Sequence, residues 1–261
     1  MDAGASERED AAVREGLPDD EPGIDPPDVK KNKTKPWLRK MWCVGKITVV
    51  YRDRMYDLLG LYAEEYDPKK PVICTDEKSK QLLENKKAPI PMRSGRNERY
   101  DYEYKRNGTR NIFMAVEPKG GWRKASVTKH RKKPDFARFV RDLLKERRYR
   151  NAVKIRLVLD NLNTHFAASF YETFPKKEAE RILNKIEFHY TPAHASWLNM
   201  AEIELNVMDR ECLGGRRIAD EETLKRELAA WQKRRNKAKR KIEWKFTRQD
   251  ADRKLGKHYI A

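Results

Sequence analysis

The chain has 261 residues, and its 59 Lys and Arg against 41 Asp and Glu give a formal net charge of +18. No run approaches the roughly 18 apolar residues that a membrane-spanning helix needs. The N-terminal MDAGASERED has neither the basic nor the apolar part of a signal peptide, and Cys43, Cys74 and Cys212 are too few and too scattered for a disulfide framework or a zinc ribbon. Secreted, membrane and zinc-ribbon classes are thereby excluded, leaving a cytoplasmic, strongly cationic globular protein.

The charge is unevenly placed. Residues 1–28 hold ten acids against Arg8 and Arg14, a net of −8, so residues 29–261 keep 57 basic and 31 acidic side chains, a net of +26. A body this cationic repels itself unless a polyanion neutralises it, so nucleic acid is the expected partner. Residues 1–28 are rich in proline and poor in large apolar side chains. They cannot bury enough surface to offset their ordering entropy and are expected to form an acidic disordered tail. A basic linker, residues 29–45, runs from Lys30 and Lys31 into Trp37, Leu38, Met41 and Trp42, aromatics that either dock on the following domain or form a DNA-contacting arm.

Along the body, Met55, Leu58, Leu59 and Tyr62 have the spacing of an amphipathic helix within 47–67. The β-branched run Val72-Ile73-Cys74-Thr75-Asp76 predicts a buried strand ending on an acid. Tyr100, Tyr102 and Tyr104 alternate with charged residues, and Asn107-Gly108 before Ile112–Val116 predicts a hairpin turn, since both turn positions favour φ > 0. Trp122–Thr128 suits a further strand. Pro134 opens a helix with Phe136, Phe139, Val140 and Leu143 on one face. Val153–Leu159 is the most hydrophobic strand candidate and again ends on an acid, Asp160. Helical stretches near 166–173 and 176–185 precede a strand at Ile186–Tyr190. Ser196 is the expected N-cap of a helix bearing Leu198, Ala201, Leu205 and Met208, and the last helix starts at Asp220 with Leu224, Leu228 and Trp231 on its buried stripe. Strands interleaved with helices, after a hairpin, predict an α/β domain with a mixed sheet flanked by helices.

Asp76 and Asp160 each close a buried strand, and in helix-covered sheets functional groups gather at the strands' C-terminal ends. The same pattern also serves merely to cap the loops that follow. If the strands are neighbours, the two carboxylates converge, and a third acid from the helix near Ser196 completes a set. Three close carboxylates repel one another, and divalent metal relieves that repulsion. Mg²⁺ takes oxygen ligands and suits phosphate chemistry. Two such ions about 4 Å apart stabilise both the attacking and the leaving oxygen of an in-line displacement.

Three segments decide which chemistry is expected. Thr75-Asp76-Glu77-Lys78-Ser79, Leu159-Asp160-Asn161-Leu162-Asn163-Thr164-His165, and His189 through Glu202 occur in that order, with Arg99–Tyr104 and Ile242–Thr247 around them. Together they resemble bacterial insertion-sequence transposases of the mariner superfamily, in the DDE recombinase group. The resemblance runs from about Lys30 to the C-terminus. It implies a ribonuclease H-like catalytic domain, here 46–218, with a basic helical extension, 219–261, packed on it. It also implies a metal-binding catalytic triad of Asp76, Asp160 and Glu202 that holds Mg²⁺ or Mn²⁺, two ions in all, for DNA cleavage and 3′-hydroxyl strand transfer. Glu204 rivals Glu202, because the apolar stripe of that helix is centred between the two; the motif match selects Glu202. A non-catalytic DNA-binding remnant and a structure-specific nuclease are the alternative readings.

The supporting residues follow from position. Glu77, next to Asp76, should face the opposite side of its strand, in a structural role or supporting the site from behind. Asn161 and His165 are placed to orient Asp160, bind phosphate or position a water. His189 and His194 lack the companions that zinc requires. Trp197 is placed to stack on a base or to pack against its helix. Lys225, Arg226, Lys233, Arg234, Arg235, Lys237, Lys239, Arg240 and Lys241 form a basic stretch expected to track DNA phosphates without reading sequence. The resemblance further implies double-stranded DNA partners, transposon ends and target, and a homodimer. No helix-turn-helix region is recognised upstream of Lys30, so a separately encoded helix-turn-helix partner is expected, or else a truncated copy.

Overall fold

The computed structural model describes residues 45–260; the expected acidic tail and all but the last residue of the basic linker lie outside them. The first element is helix α1, Val49–Ala63, whose N-cap Thr48 accepts a hydrogen bond from the Tyr51 N–H at 3.2 Å. Met55, Leu58, Leu59 and Tyr62 are buried on it, as their spacing predicts. Five strands follow, β1 (Val72–Asn85), β2 (Tyr104–Glu117), β3 (Trp122–Thr128), β4 (Ile155–Leu159) and β5 (Ile186–Tyr190). They form one sheet in the order β3-β2-β1-β4-β5. The β3, β2 and β1 strands pair antiparallel, whereas β1, β4 and β5 run parallel.

Between and after the strands lie α2 (Lys133–Leu144), α3 (Ala168–Thr173), α4 (Lys176–Leu183), α5 (Met200–Met208), α6 (Glu221–Lys237) and α7 (Arg248–Leu255). The period-2 alternation of the strands distributes their side chains to two covered faces. Ile73, Phe113, Ala115, Leu157 and Leu159 point into a core with Phe136, Phe139, Val140 and Leu143 of α2 and Phe170 of α3. Cys74, Val116 and Val158 point the other way, against α1, Leu198 and Ala201. Further along that second face, Ile112 and Met114 pack with Leu205 and Met208 of α5 and with Leu224, Leu228 and Trp231 of α6. All five residues of β4 are buried, four of them apolar and the fifth, Arg156, donating to the Lys70 carbonyl. A mixed sheet covered by helices on both faces is the expected ribonuclease H-like α/β architecture.

Two local expectations are corrected. Asn107-Gly108 does not turn a hairpin; it lies inside β2, where the two residues oppose Leu82 alone and the register with β1 shifts. The positive φ that the dipeptide tolerates, +91° at Gly108, serves a bulge instead. Strand β1 accordingly continues to Asn85, well past Asp76. Ser196 is not the cap of the next helix either. It begins a single 3₁₀ turn, Ser196–Leu198, and α5 starts at Met200 with Asn199 as N-cap, its side chain accepting from the Ala201 N–H at 3.1 Å.

The segment after α6 is pinned over the β2–β3 turn. Arg123 donates to the Arg240 carbonyl at 2.7 Å, and the Ile242 N–H donates to the Pro118 carbonyl at 3.1 Å. Gly121 makes the crossing feasible. It has φ +63°, and a Cβ there would lie 2.5 Å from the Lys239 carbonyl oxygen. Among the described residues no helix is long and apolar enough to cross a membrane.

Candidate active site

Parallel pairing brings the two strand-ending aspartates together. Cys74 is in register with Val158, so Asp76 and Asp160, two residues further along each strand, stand side by side at the same end of the sheet. Asp76 has the parity of Cys74 and so belongs to the α1/α5 face, while Asp160 is the first residue past the end of β4. The start of α5 closes the site from that face. The Asn199 side-chain amide donates to the Thr75 carbonyl at 2.9 Å and approaches Asp76 Oδ2 at 3.5 Å. Its carbonyl oxygen meanwhile caps the helix whose first turn carries Glu202. One side chain thus fixes the helix N-terminus and ties it to β1.

The electrostatics report the convergence. Burial pushes the Asp76 carboxyl up to about 7; the Glu77 N–H, donating at 2.8 Å, opposes the shift, and the Glu202, Asp160 and Glu77 carboxylates add to it. The charged groups that raise it most are therefore all acids. Glu204, the rival third residue, is turned away. It is fully buried and receives Arg123 at 2.9 Å and Arg235 at 3.3 Å. Glu202, by contrast, is among the acids that raise Asp76 most.

His165 is 2 % exposed and sits between two acids, with Nδ1 2.5 Å from Asp160 Oδ1 and Nε2 3.3 Å from Glu77 Oε2. Burial alone would lower its pKa; the Asp160 and Glu77 carboxylates outweigh that and push it up to about 9. Asn161 is exposed in the loop after β4. His189 faces Asp57 at 2.7 Å and Glu187 at 3.4 Å, away from these groups on β5, and His194 is exposed with φ +61°. Trp197 stacks on Trp244 with ring centroids 6.2 Å apart and meets Phe246 edge-on at 5.4 Å.

The donor set suits a hard divalent cation, being all carboxylate oxygen at one sheet end. Asp160 Oδ1 is buried yet accepts no hydrogen bond, the short approach of His165 lacking the alignment of one. An unsatisfied carboxylate oxygen beside a second carboxyl kept partly protonated is a site short of positive charge. Among the described residues no three acidic, histidine or cysteine side chains stand close enough to hold one ion as they are placed.

Along the basic stretch, Lys225, Arg226, Lys233, Arg234, Lys237, Lys239, Arg240 and Lys241 are exposed. Lys225 is shared with Glu221 and Glu222, at 2.8 and 3.1 Å. Arg235 differs, since its guanidinium is half-buried and engaged by Glu204 and Glu211 inside the fold.

Two functional contacts escape sequence reasoning. Asn199 as the link between α5 and Asp76 carries a signal, since Asn is a strong N-cap immediately before an apolar helix. The pairing of Glu77 with His165 carries none, because the two lie on different elements.

The model of the DDE superfamily endonuclease family matches residues 71–225, from β1 to the first turns of α6. The chain belongs to the DDE superfamily endonucleases. No curated protein matches it. Among solved structures, this endonuclease chain is similar to the Mos1 mariner paired-end complex with Mn, at 15 % identity and a TM-score of 0.47, covering 79 % of this chain and 63 % of that one. It is also similar to the Mos1 transposase paired-end complex with left transposon end, at 13 % identity and 0.47, covering 88 % and 84 %. A pre-cleavage Mos1 transpososome gives 14 % and 0.48, covering 84 % and 75 %. The chain thus spans less than two thirds of the first of these.

Proposed function

We propose that this endonuclease domain is the catalytic part of a DNA transposase, cutting DNA with divalent metal and transferring a 3′-hydroxyl to target DNA. One observation carries the reading. In a chain of the DDE family, Asp76, just past the parallel-paired part of β1, feels both Asp160 and Glu202, whereas the neighbouring Glu204 is locked in a buried ion pair.

Asp76, Asp160 and Glu202 would hold Mg²⁺ or Mn²⁺, two ions in all, which supply charge neutralisation at the scissile phosphate and its attacking and leaving oxygens. The protein's own groups do the placing. Asn199 sets the start of α5 against β1, His165 sets the Asp160 carboxylate, and the exposed cations from Lys225 to Lys241 hold the phosphate backbone. The partners are double-stranded DNA, as element ends and as target, and a second copy of the chain to pair two ends.

The test is nicking and strand joining by the purified chain in Mn²⁺ or Mg²⁺, alone and as Asp76→Asn, Asp160→Ala and Glu202→Gln. Metal-dependent nicking that these variants lose, with transfer of a supplied 3′-hydroxyl strand to target, is the expected result. Activity that survives Asp160→Ala overturns the triad. Cutting without joining marks a nuclease, and salt-sensitive binding without turnover marks a remnant.

A further inference from the structure

We propose that Glu77 is a positioning residue for the Asp160 carboxylate, acting through His165; the inference rests on the metal-binding reading of Asp160 given above. Asp76 and Glu77 are consecutive on β1, so strand alternation sends them to opposite faces of the sheet. Asp76 goes to the α5 face. Glu77 goes to the α2 face, where its side chain is only 4 % exposed and faces His165 Nε2 at 3.3 Å.

The imidazole is held on every side. Its ring packs against Phe136 with centroids 4.5 Å apart, and Phe136 is itself buried in the α2 core. The backbone of His165 is fixed as well, its N–H donating to the Leu162 carbonyl at 2.9 Å and its carbonyl accepting from the Tyr190 hydroxyl at 2.9 Å. What remains is the Nδ1 edge, and that edge meets Asp160 twice, hydrogen-bonding its backbone carbonyl at 3.3 Å and approaching its Oδ1 at 2.5 Å. Asp160 itself opens the stretch 160–167, which has no helix or strand to fix its side chains. The orientation of its carboxylate is therefore set from outside, by His165, and His165 is aimed by Glu77.

Burial supplies the second argument. A carboxylate removed from water beside a histidine is costly to keep, and an apolar residue of similar size would be at least as stable there. A structural staple between β1 and the 160–167 loop does not need the charge. A group that holds the ring at Nε2, so that Nδ1 stays turned toward Asp160, does need an acceptor at that position. Histidine–carboxylate partners behind metal-binding groups have this effect, and their loss lowers metal affinity by about tenfold or more.

The test is Mn²⁺ binding to the full chain without DNA, by calorimetry or by the loss of the free-ion paramagnetic resonance signal. Wild type, Glu77→Gln, Glu77→Leu, His165→Gln and the Glu77→Gln/His165→Gln double variant are compared, and thermal melts in EDTA establish that each is folded. Glu77→Leu should weaken Mn²⁺ binding about tenfold, and Glu77→Gln, which keeps an acceptor for Nε2–H, should weaken it less. In the His165→Gln background the Glu77 substitution should have no further effect, the signature of action through one shared partner. Additive losses, or wild-type Mn²⁺ affinity in both Glu77 variants, overturn the proposal. A wild-type chain that takes up no Mn²⁺, or whose uptake Asp160→Asn leaves unchanged, overturns the triad reading and this proposal with it.

Discussion

Arg123 and Glu204 meet at 2.9 Å with neither side chain exposed to solvent. Arg235 approaches the same carboxylate at 3.3 Å, so Glu204 roots α5 in both β3 and α6. Removing one member of a buried pair leaves an uncompensated charge and costs roughly 3–5 kcal/mol. Glu204→Ala is therefore expected to lose stability on that scale, seen as a lower denaturant midpoint. Glu202→Gln, two residues away, should change the midpoint by less than about 0.5 kcal/mol in EDTA and abolish metal-dependent cleavage. An active, destabilised Glu202→Gln beside a stable, inactive Glu204→Ala would reverse the assignment.

Much of this arrangement was legible before any coordinates. The strands carrying Asp76 and preceding Asp160 are announced by short runs rich in Val, Ile and Leu, and helix α2 is marked by Pro134 and four apolar residues at helical spacing. The choice between Glu202 and Glu204 was not legible from periodicity, because both flank the apolar stripe. What sets Glu204 apart is its pairing with Arg123 and Arg235, which lie far away in sequence. Asn107-Gly108 misled for a similar reason: the dipeptide specifies a backbone conformation, and partner-strand length decides whether that conformation makes a turn or a bulge. Arg235 read as one more cation in a basic run, and only tertiary contact separates it from Arg234.

Asn199 couples two functions, and its substitution should separate them. Replacing an N-cap Asn by Ala costs about 0.5–2 kcal/mol, and here it also frees the tie to the Thr75 carbonyl. Asn199→Asp restores the cap acceptor but adds a carboxylate beside Asp76. Stability should then recover relative to Asn199→Ala while cleavage at limiting Mn²⁺ does not. Denaturant melts and single-turnover nicking measure the two, and parallel recovery of both would remove Asn199 from the site.

In EDTA, stability should fall as pH rises from about 4 to about 9. Asp76 has its folded pKa raised from 3.8 to about 7, so the folded chain binds the extra proton and loses that advantage as pH climbs through 7. His165, raised from 6.5 to about 9, contributes stability fully present below 6.5 and lost as pH rises through 9. Asp76→Asn should flatten the lower part of the curve and His165→Gln the upper part. Melting temperatures across this range test both, and an unchanged upper slope in His165→Gln rejects the assignment to that imidazole.

The cations of α6 and the strap after it should divide by salt dependence. Each lysine or arginine neutralising a phosphate of duplex DNA contributes about 0.9 to the slope of log affinity against log salt. Replacing Lys233, Arg234 and Lys237 by glutamine should therefore lower that slope by roughly two to three if each makes a phosphate contact. Arg235→Gln should leave the slope unchanged and lower the melting temperature, because its guanidinium is engaged by Glu204 and Glu211. Binding titrations at several salt concentrations, with a melt for each variant, separate the two behaviours. If Arg235→Gln reduced the slope as its neighbours do, its internal ion pairs would have to open on DNA, and α6 could not anchor α5 during catalysis.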